Sequence, residues 1–245
     1  MKTVKLILMT AIFATMSMGV ANAQSNNYTL LNSDEITVKP GHNAAFVEGV
    51  KQYKACYLEN EGEGSWNMWR RQQGTGNVYV LTGSMAKWAE MEEEDAAGQA
   101  CYMIYLNLIF PHIESQATYT STSMPEYSTT VPEGTKYASV TYYEVSNESA
   151  FTNVVSTVSD AIKKKEGDFR ASWYNIALAG PEAADFFAAT FHKSFSELDV
   201  KRDTPAKIYT DLVGEDKAQE LWDIWFSTLQ NSWSFTYKLE TELSN

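Results

Sequence analysis

The chain has 245 residues, 31 Asp and Glu against 19 Lys and Arg, and a net charge of −12. That balance excludes a nucleic-acid backbone as partner, since neutralising phosphates needs Lys and Arg, and it disfavours an anionic membrane surface. Seven Trp and 14 Tyr supply ample material for a core or an aromatic pocket.

Residues 1–23 read as a secretory leader. Lys2 and Lys5 are followed by an apolar run from Leu6 to Gly19, and Ala21-Asn22-Ala23 is a cleavage site of the Ala-x-Ala type. The run is too short to anchor in a bilayer, and no later stretch is apolar enough to span one. The expectation is a soluble protein, periplasmic or secreted, starting at Gln24. Losing Lys2 and Lys5 makes it two units more acidic still.

Tyr28 to Lys39 reads as a strand, ended by Pro40-Gly41. A helix over 43–58 follows, with Phe46, Val50, Tyr53 and Tyr57 in one stripe. Ser65 to Gln72 and Asn77 to Thr82 form a hairpin around Gly74-Thr75-Gly76. Ser84 is placed as the cap of a helix carrying Met85, Trp88 and Met91, interrupted by Glu92-Glu93-Glu94-Asp95 and resumed from Ala100 to Ile109, where Pro111 stops it. Glu114 to Ser121 is the fourth strand. Residues 124–136, with Pro125, Pro132 and Gly134, read as a linker.

The order then recurs. Tyr137 to Val145 alternates as a strand. Asn147 caps a helix whose Phe151, Val154, Val155, Val158 and Ile162 make a strong stripe. Lys163-Lys164-Lys165 suits its dipole, and Gly167 lies just beyond. Arg170 to Leu178 and Asp185 to Phe191 form a second hairpin. Helical segments follow from Ser194 and from Pro205 to Leu229, with a break near Gly214. Ser232 to Leu243 closes as a strand alternating Trp233, Phe235, Tyr237 and Leu239. Phe46 maps to Phe151, Trp66 to Trp173 and Trp88 to Phe195 at offsets of about 105 to 107 residues, the mark of a duplicated unit.

Each half therefore reads β-α-β-β-α-β, the ferredoxin-like unit. The fold class is α+β: two tandem ferredoxin-like repeats, 24–123 and 137–245, whose antiparallel sheets pack as one intrachain α+β barrel. A monomer with an internal pseudo-dimer is expected. With Val38-Lys39-Pro40-Gly41 before an amphipathic helix and Trp88-Ala89-Glu90-Met91 after the hairpin, the chain resembles the dimeric α+β-barrel superfamily, its antibiotic-biosynthesis-monooxygenase-like and NIPSNAP-like branches, and more distantly chlorite-dismutase-like proteins. Val145-Ser146-Asn147-Glu148 in the second half lacks the Pro-Gly. The resemblance implies ligands held between sheet and helices or inside the barrel. It covers cofactor-free oxygenases, haem proteins and isomerases alike, so it does not supply a reaction.

Cys56 and Cys101 are the only cysteines. An oxidising compartment permits a disulfide between two neighbouring helices; the alternative is two small buried apolar side chains. His42, His112 and His192 have no metal-ligand spacing, so no metal and no cofactor are assigned. A haem-binding member would need His192 or His112 as axial ligand. The acidic run 92–95 lacks the alternating oxygen ligands of a calcium loop. On the middle strands, Trp66, Met68 and Arg70 are placed on the face turned toward the other sheet, with Trp173 and Asn175 from the second repeat. Tyr174, Ile176 and Leu178 are placed toward the helices. Two indoles, an amide and a guanidinium can line a small-molecule site, with Arg70 holding a carboxylate or enolate. Equally, the indoles can simply fill the sheet interface. No nucleophile elbow, phosphate loop or HExxH segment is present. The two readings carried forward are an exported protein binding a small apolar or aromatic molecule, and a cofactor-independent monooxygenase-like enzyme acting on a small organic substrate.

Overall fold

The computed structural model describes residues 28–245. The leader reading lies outside the described residues.

The first half runs β1 (Leu30–Val38), α1 (Asn43–Glu59), β2 (Asn67–Arg71), β3 (Asn77–Met85), α2 (Ala96–Ile104) and β4 (Ile113–Ser123). The second runs β5 (Tyr137–Val145), α3 (Glu148–Glu166), β6 (Ser172–Leu178), β7 (Phe186–His192), α4 (Pro205–Val213), α5 (Glu215–Thr228) and β8 (Leu229–Leu239). All eight strands close into one antiparallel barrel in the order β1-β3-β2-β8-β5-β7-β6-β4. Within each half the order is that of a ferredoxin-like sheet. The halves join edge to edge, β2 on β8 and β4 on β6. Closure leaves no strand edge unpaired, which removes the aggregation hazard of two separate sheets. Helices cover the outside of each half, and the inward side chains make a core of their own.

Local chemistry explains most elements. The Asn147 side chain accepts from Ala150 N at 3.0 Å and starts α3. Gly167, at φ +90, ends it in the left-handed conformation. Thr204 caps α4, and Pro205 is its first residue. The duplication extends to a detail of turn chemistry. Glu90 turns its carboxylate back onto Ala86 N at 3.2 Å, and Glu197 does the same to Lys193 N at 3.0 Å. Each seals the short 3-10 turn that follows a hairpin, 88–92 and 195–199.

One element differs from expectation. Ser84 does not cap a helix: β3 continues through it to Met85 because the whole stretch pairs with β1, Ser84 opposite Leu31. The helix begins at Ala96, where Asp95 accepts from Gly98 N at 2.9 Å. The end of the acidic run thus starts the helix. Beyond Ile104 the chain widens into one π turn, Tyr105–Ile109, and then tightens into a 3-10 turn at Phe110–His112. Such widening often accompanies a functional site.

Cys56 and Cys101 are bonded, joining α1 to α2. Their neighbours Tyr57, Ala97 and Trp66 form a small apolar cluster around the bridge.

Candidate functional site

Three cavities matter: one under the helices of each half, and one within the barrel. They are set by strand alternation, because successive side chains point to opposite faces.

The largest, about 510 Å³, lies between the first-half sheet and its helices. Trp66, Met68, Ile36 and Leu81 come from the sheet side. Phe46, Val50 and Tyr53 come from α1, and Tyr102, Tyr105 and Ile109 from α2 and the π turn. The wall is apolar and aromatic, with a few polar groups. Asp34 on β1 accepts hydrogen bonds from Thr118 Oγ1 and, at 3.3 Å, from Gln116 Nε2. Burial raises the Tyr105 hydroxyl pKa, and the Asp34 charge adds to it; burial and Asp95 do the same for Tyr53. Both phenols therefore stay protonated and able to donate at neutral pH. The volume suits a drug-sized molecule.

The second-half counterpart is about 390 Å³ and is lined by Tyr143, Val154, Val155, Trp173, Trp222 and Trp225 among others. Tyr143, Trp173, Trp225 and Phe151 form a packed aromatic group, with Tyr143 and Trp173 stacked at 5.6 Å. Burial pushes the Tyr143 hydroxyl up to about 12. Trp222 Nε1 is buried with no hydrogen-bond partner among the described residues. Arg170 reaches this chamber, but its guanidinium is held by Glu166 through Nε at 2.7 Å and through Nη2. The third cavity, about 170 Å³, lies inside the barrel.

The structure reverses the face assigned from sequence. Trp66 and Met68 lie under the first-half helices and Trp173 under those of the second half, in separate chambers. Tyr174 and Ile176, expected to meet helices, pack in the barrel interior, and Leu178 is exposed. Arg70 is exposed and lines none of the three cavities, nor does Asn175. The neighbouring Arg71 is the inward guanidinium, stacked 4.5 Å over Phe235. A shift of one residue turns a whole strand over, and β2 offers plausible sets on both faces: Trp66, Met68, Arg70 or Asn67, Trp69, Arg71. The strand that could have decided is β8. Its aromatic set Trp233, Phe235 and Tyr237 alternates with Ser232, Ser234 and Thr236, so the aromatics must point inward. Pairing of Tyr237 with Arg71 then places Arg71 and Trp69 inward too.

Sequence spacing also missed a histidine pair. His42 and His112, distant in the chain, meet with Nδ1 atoms 2.8 Å apart. One ring donates an N–H and the other accepts it. Among the described residues no group of three or more His, Cys, Asp or Glu is placed to hold a metal. Haem, which some members of the fold family carry, needs an axial donor. None of the three histidines lines any of the three cavities, so neither His112 nor His192 is placed as an axial ligand within them.

No family model matches the chain, and no curated protein matches it. Solved structures do. A candidate monooxygenase from Lactobacillus acidophilus NCFM superposes with a TM-score of 0.53 at 7% identity, over 86% of this chain and 93% of the other. An anthrone oxidase-like protein gives 0.53 at 11%, over 87% and 92%. Chlorite dismutase from Candidatus Nitrospira defluvii, in complex with imidazole, gives 0.50 at 10%, over 87% and 93%. Identities this low establish shape and leave chemistry to the residues themselves. The chain therefore has the dimeric α+β-barrel fold, with both ferredoxin-like halves carried on one polypeptide.

Proposed function

We propose that this protein binds a small, planar, largely apolar organic molecule in the helix-covered chamber of its first half. The observation that carries the reading is the chamber itself: about 510 Å³, walled by Trp66, Phe46 and four tyrosines, with the Asp34 carboxylate on its sheet side. Aromatic walls supply apolar contact and ring stacking. Asp34 and the two protonated phenols orient a hydroxyl or carbonyl group on the ligand. The leader sequence and the Cys56–Cys101 bridge support work outside the cytoplasm, since such bridges persist in oxidising compartments. The test is native mass spectrometry and an absorbance spectrum of the protein purified from its own exported fraction, followed by titration with hydroxylated aromatics. Binding that Leu81→Trp abolishes by filling the chamber supports the reading. Binding indifferent to Leu81→Trp overturns it.

A second reading is favoured by Asp34 and by the company of monooxygenase-type folds. A carboxylate beside an aromatic pocket can take a proton from an acidic C–H or O–H of the substrate. The resulting electron-rich carbon then reacts with dioxygen. In such a reaction a CH₂ becomes C=O, one oxygen atom enters the product, and the other leaves as water with the two hydrogens. The enzyme reading predicts substrate-dependent oxygen uptake that Asp34→Asn abolishes while binding persists. Binding with no oxygen uptake across the titrated panel leaves the protein a binder.

A further inference from the structure

We propose that the barrel interior is a separate ligand chamber, built for one neutral aromatic ring carrying a single hydrogen-bonding group, a molecule of phenol size. It is distinct from the helix-covered chambers because the β-sheet lies between them, and consecutive residues of one strand line different spaces: Ala188 the second-half chamber and Ala189 the barrel.

Size sets the first limit. The cavity is about 170 Å³, and an apolar cavity of about 150 Å³ is enough to hold benzene. A two-ring molecule does not fit without opening the sheet. Charge sets the second. Among the described residues, tyrosine is the only ionisable side chain on the wall, which is mostly aliphatic and aromatic, including Trp69, Phe187 and Phe191, with the neutral polar groups of Ser33, Asn67, Thr82 and Ser84 beside them. An ion placed there would lose hydration with no countercharge on the cavity wall; Glu35 and Arg71, whose charges reach Tyr237, do not line it. Polarity sets the third. Tyr119, Tyr142 and Tyr237 bring their side chains to the cavity, and the Tyr142 and Tyr237 hydroxyls lie 3.3 Å apart. Burial raises all three above the ordinary tyrosine value, so each remains an O–H group. The cluster can donate to, or accept from, one neutral polar group at the inner end of a ring.

Below the tyrosines the barrel is filled. Trp233 stacks on Tyr142 at 5.6 Å, and Arg71 covers Phe235. At the other end the strands β5 and β1 begin and β3, β4 and β7 finish, and there the segment joining the halves crosses. It is pinned at Thr129, whose N–H donates to Ala171 O at 3.0 Å, and at Lys136, whose N–H donates to His192 O at 2.9 Å. Between these points Val131 lines the cavity while remaining 55% exposed. The way in is under Val131.

The experiment is a ¹⁹F NMR titration of the intact protein with 4-fluorophenol and with fluorobenzene, repeated on three variants. Ala189→Leu fills the barrel and should weaken both probes by about tenfold or more, since a packed interior has little room to yield. Ala188→Leu, one residue away and facing the helices, should leave both unchanged. Tyr142→Phe keeps the volume and removes a hydroxyl, so the preference for fluorophenol over fluorobenzene should fall by about fivefold, the worth of one net hydrogen bond. Should Ala189→Leu fail to fold, the Tyr142→Phe preference decides. Absence of binding at millimolar probe, an equal or larger loss in Ala188→Leu, or an unchanged preference in Tyr142→Phe would each overturn the proposal.

Discussion

Gly49 packs α1 closely against the π turn, and replacing it with Ala tests how the first-half chamber is held together. A Cβ there would stand 2.2 Å from Leu108 O, 2.8 Å from Leu108 C and 3.1 Å from Ile109 Cγ1. Two of those atoms are backbone, so no side-chain rotation relieves the clash. Ordinary contact requires a separation greater by roughly 1 Å, which lifts α1 from the π turn and loosens Phe46, Val50 and Ile109 together. Overpacking costs about 1–3 kcal/mol, and a clash against backbone atoms lies in the upper part of that range, about 2–3 kcal/mol. Ala also gains about 1 kcal/mol of helix propensity over Gly. The net is a loss of about 1–2 kcal/mol, or a fall in Tm of about 2–8 °C at this chain length. The assay is reversible urea and thermal unfolding by circular dichroism with the disulfide intact. Gly180→Ala is the control: nothing lies within 4 Å of its Cβ position, so the change should be neutral or stabilise by about 0.4–1 kcal/mol. If Gly49→Ala proves as stable as the parent, the reasoning from close approach fails.

Reducing Cys56–Cys101, or replacing both residues with Ser, frees a loop of 45 residues. It should cost about 4 kcal/mol on the chain-entropy estimate, read as a drop in urea midpoint with a steeper slope, because the freed unfolded chain exposes more surface. Ser121 is fully buried, and its hydroxyl has no partner among the described residues. Ser121→Ala should therefore stabilise by about 1 kcal/mol, and a loss of stability would show that the hydroxyl is paired by a bound water. Glu166 is held below its ordinary carboxylate value of 4.5, first by its hydrogen bonds to Arg170. A depressed carboxylate stabilises the fold above its unfolded value and loses that contribution as pH falls through the folded value. The stability gap between parent and Glu166→Gln should be full at pH 7 and shrink below about pH 4.5; a gap independent of pH would remove the pair from the account.

How much of this was legible in the residues varies by level. The stripes on α1 and α3, the Asn147 cap and the Gly167 stop each rest on neighbours within a few residues, and all are where the sequence puts them. The start of α2 was not legible, because Ser84 satisfies the local rule for a cap while long-range pairing of β3 with β1 claims it for the sheet. The candidate site was half legible. Trp66, Met68 and Trp173 do line cavities, but the expectation that they meet in one space required knowing which face of β2 and β6 turns inward. The contribution of Asp34, which comes from a strand with no aromatic signature, could not be read at all.

By itself, then, the sequence determined the duplication, the ferredoxin-like order of elements and the acidic surface, because periodicity, caps and composition are local or additive properties. Only the tertiary structure decided three things: which strand edges close the expected barrel, β2 on β8 and β4 on β6, that each half keeps its own helix-covered chamber, and that His42 and His112, or Cys56 and Cys101, come together. The physical reason is common to all three. Strand register and helix crossing are settled by contacts between residues far apart in the chain, and in a period-two strand a single step of register exchanges inside for outside.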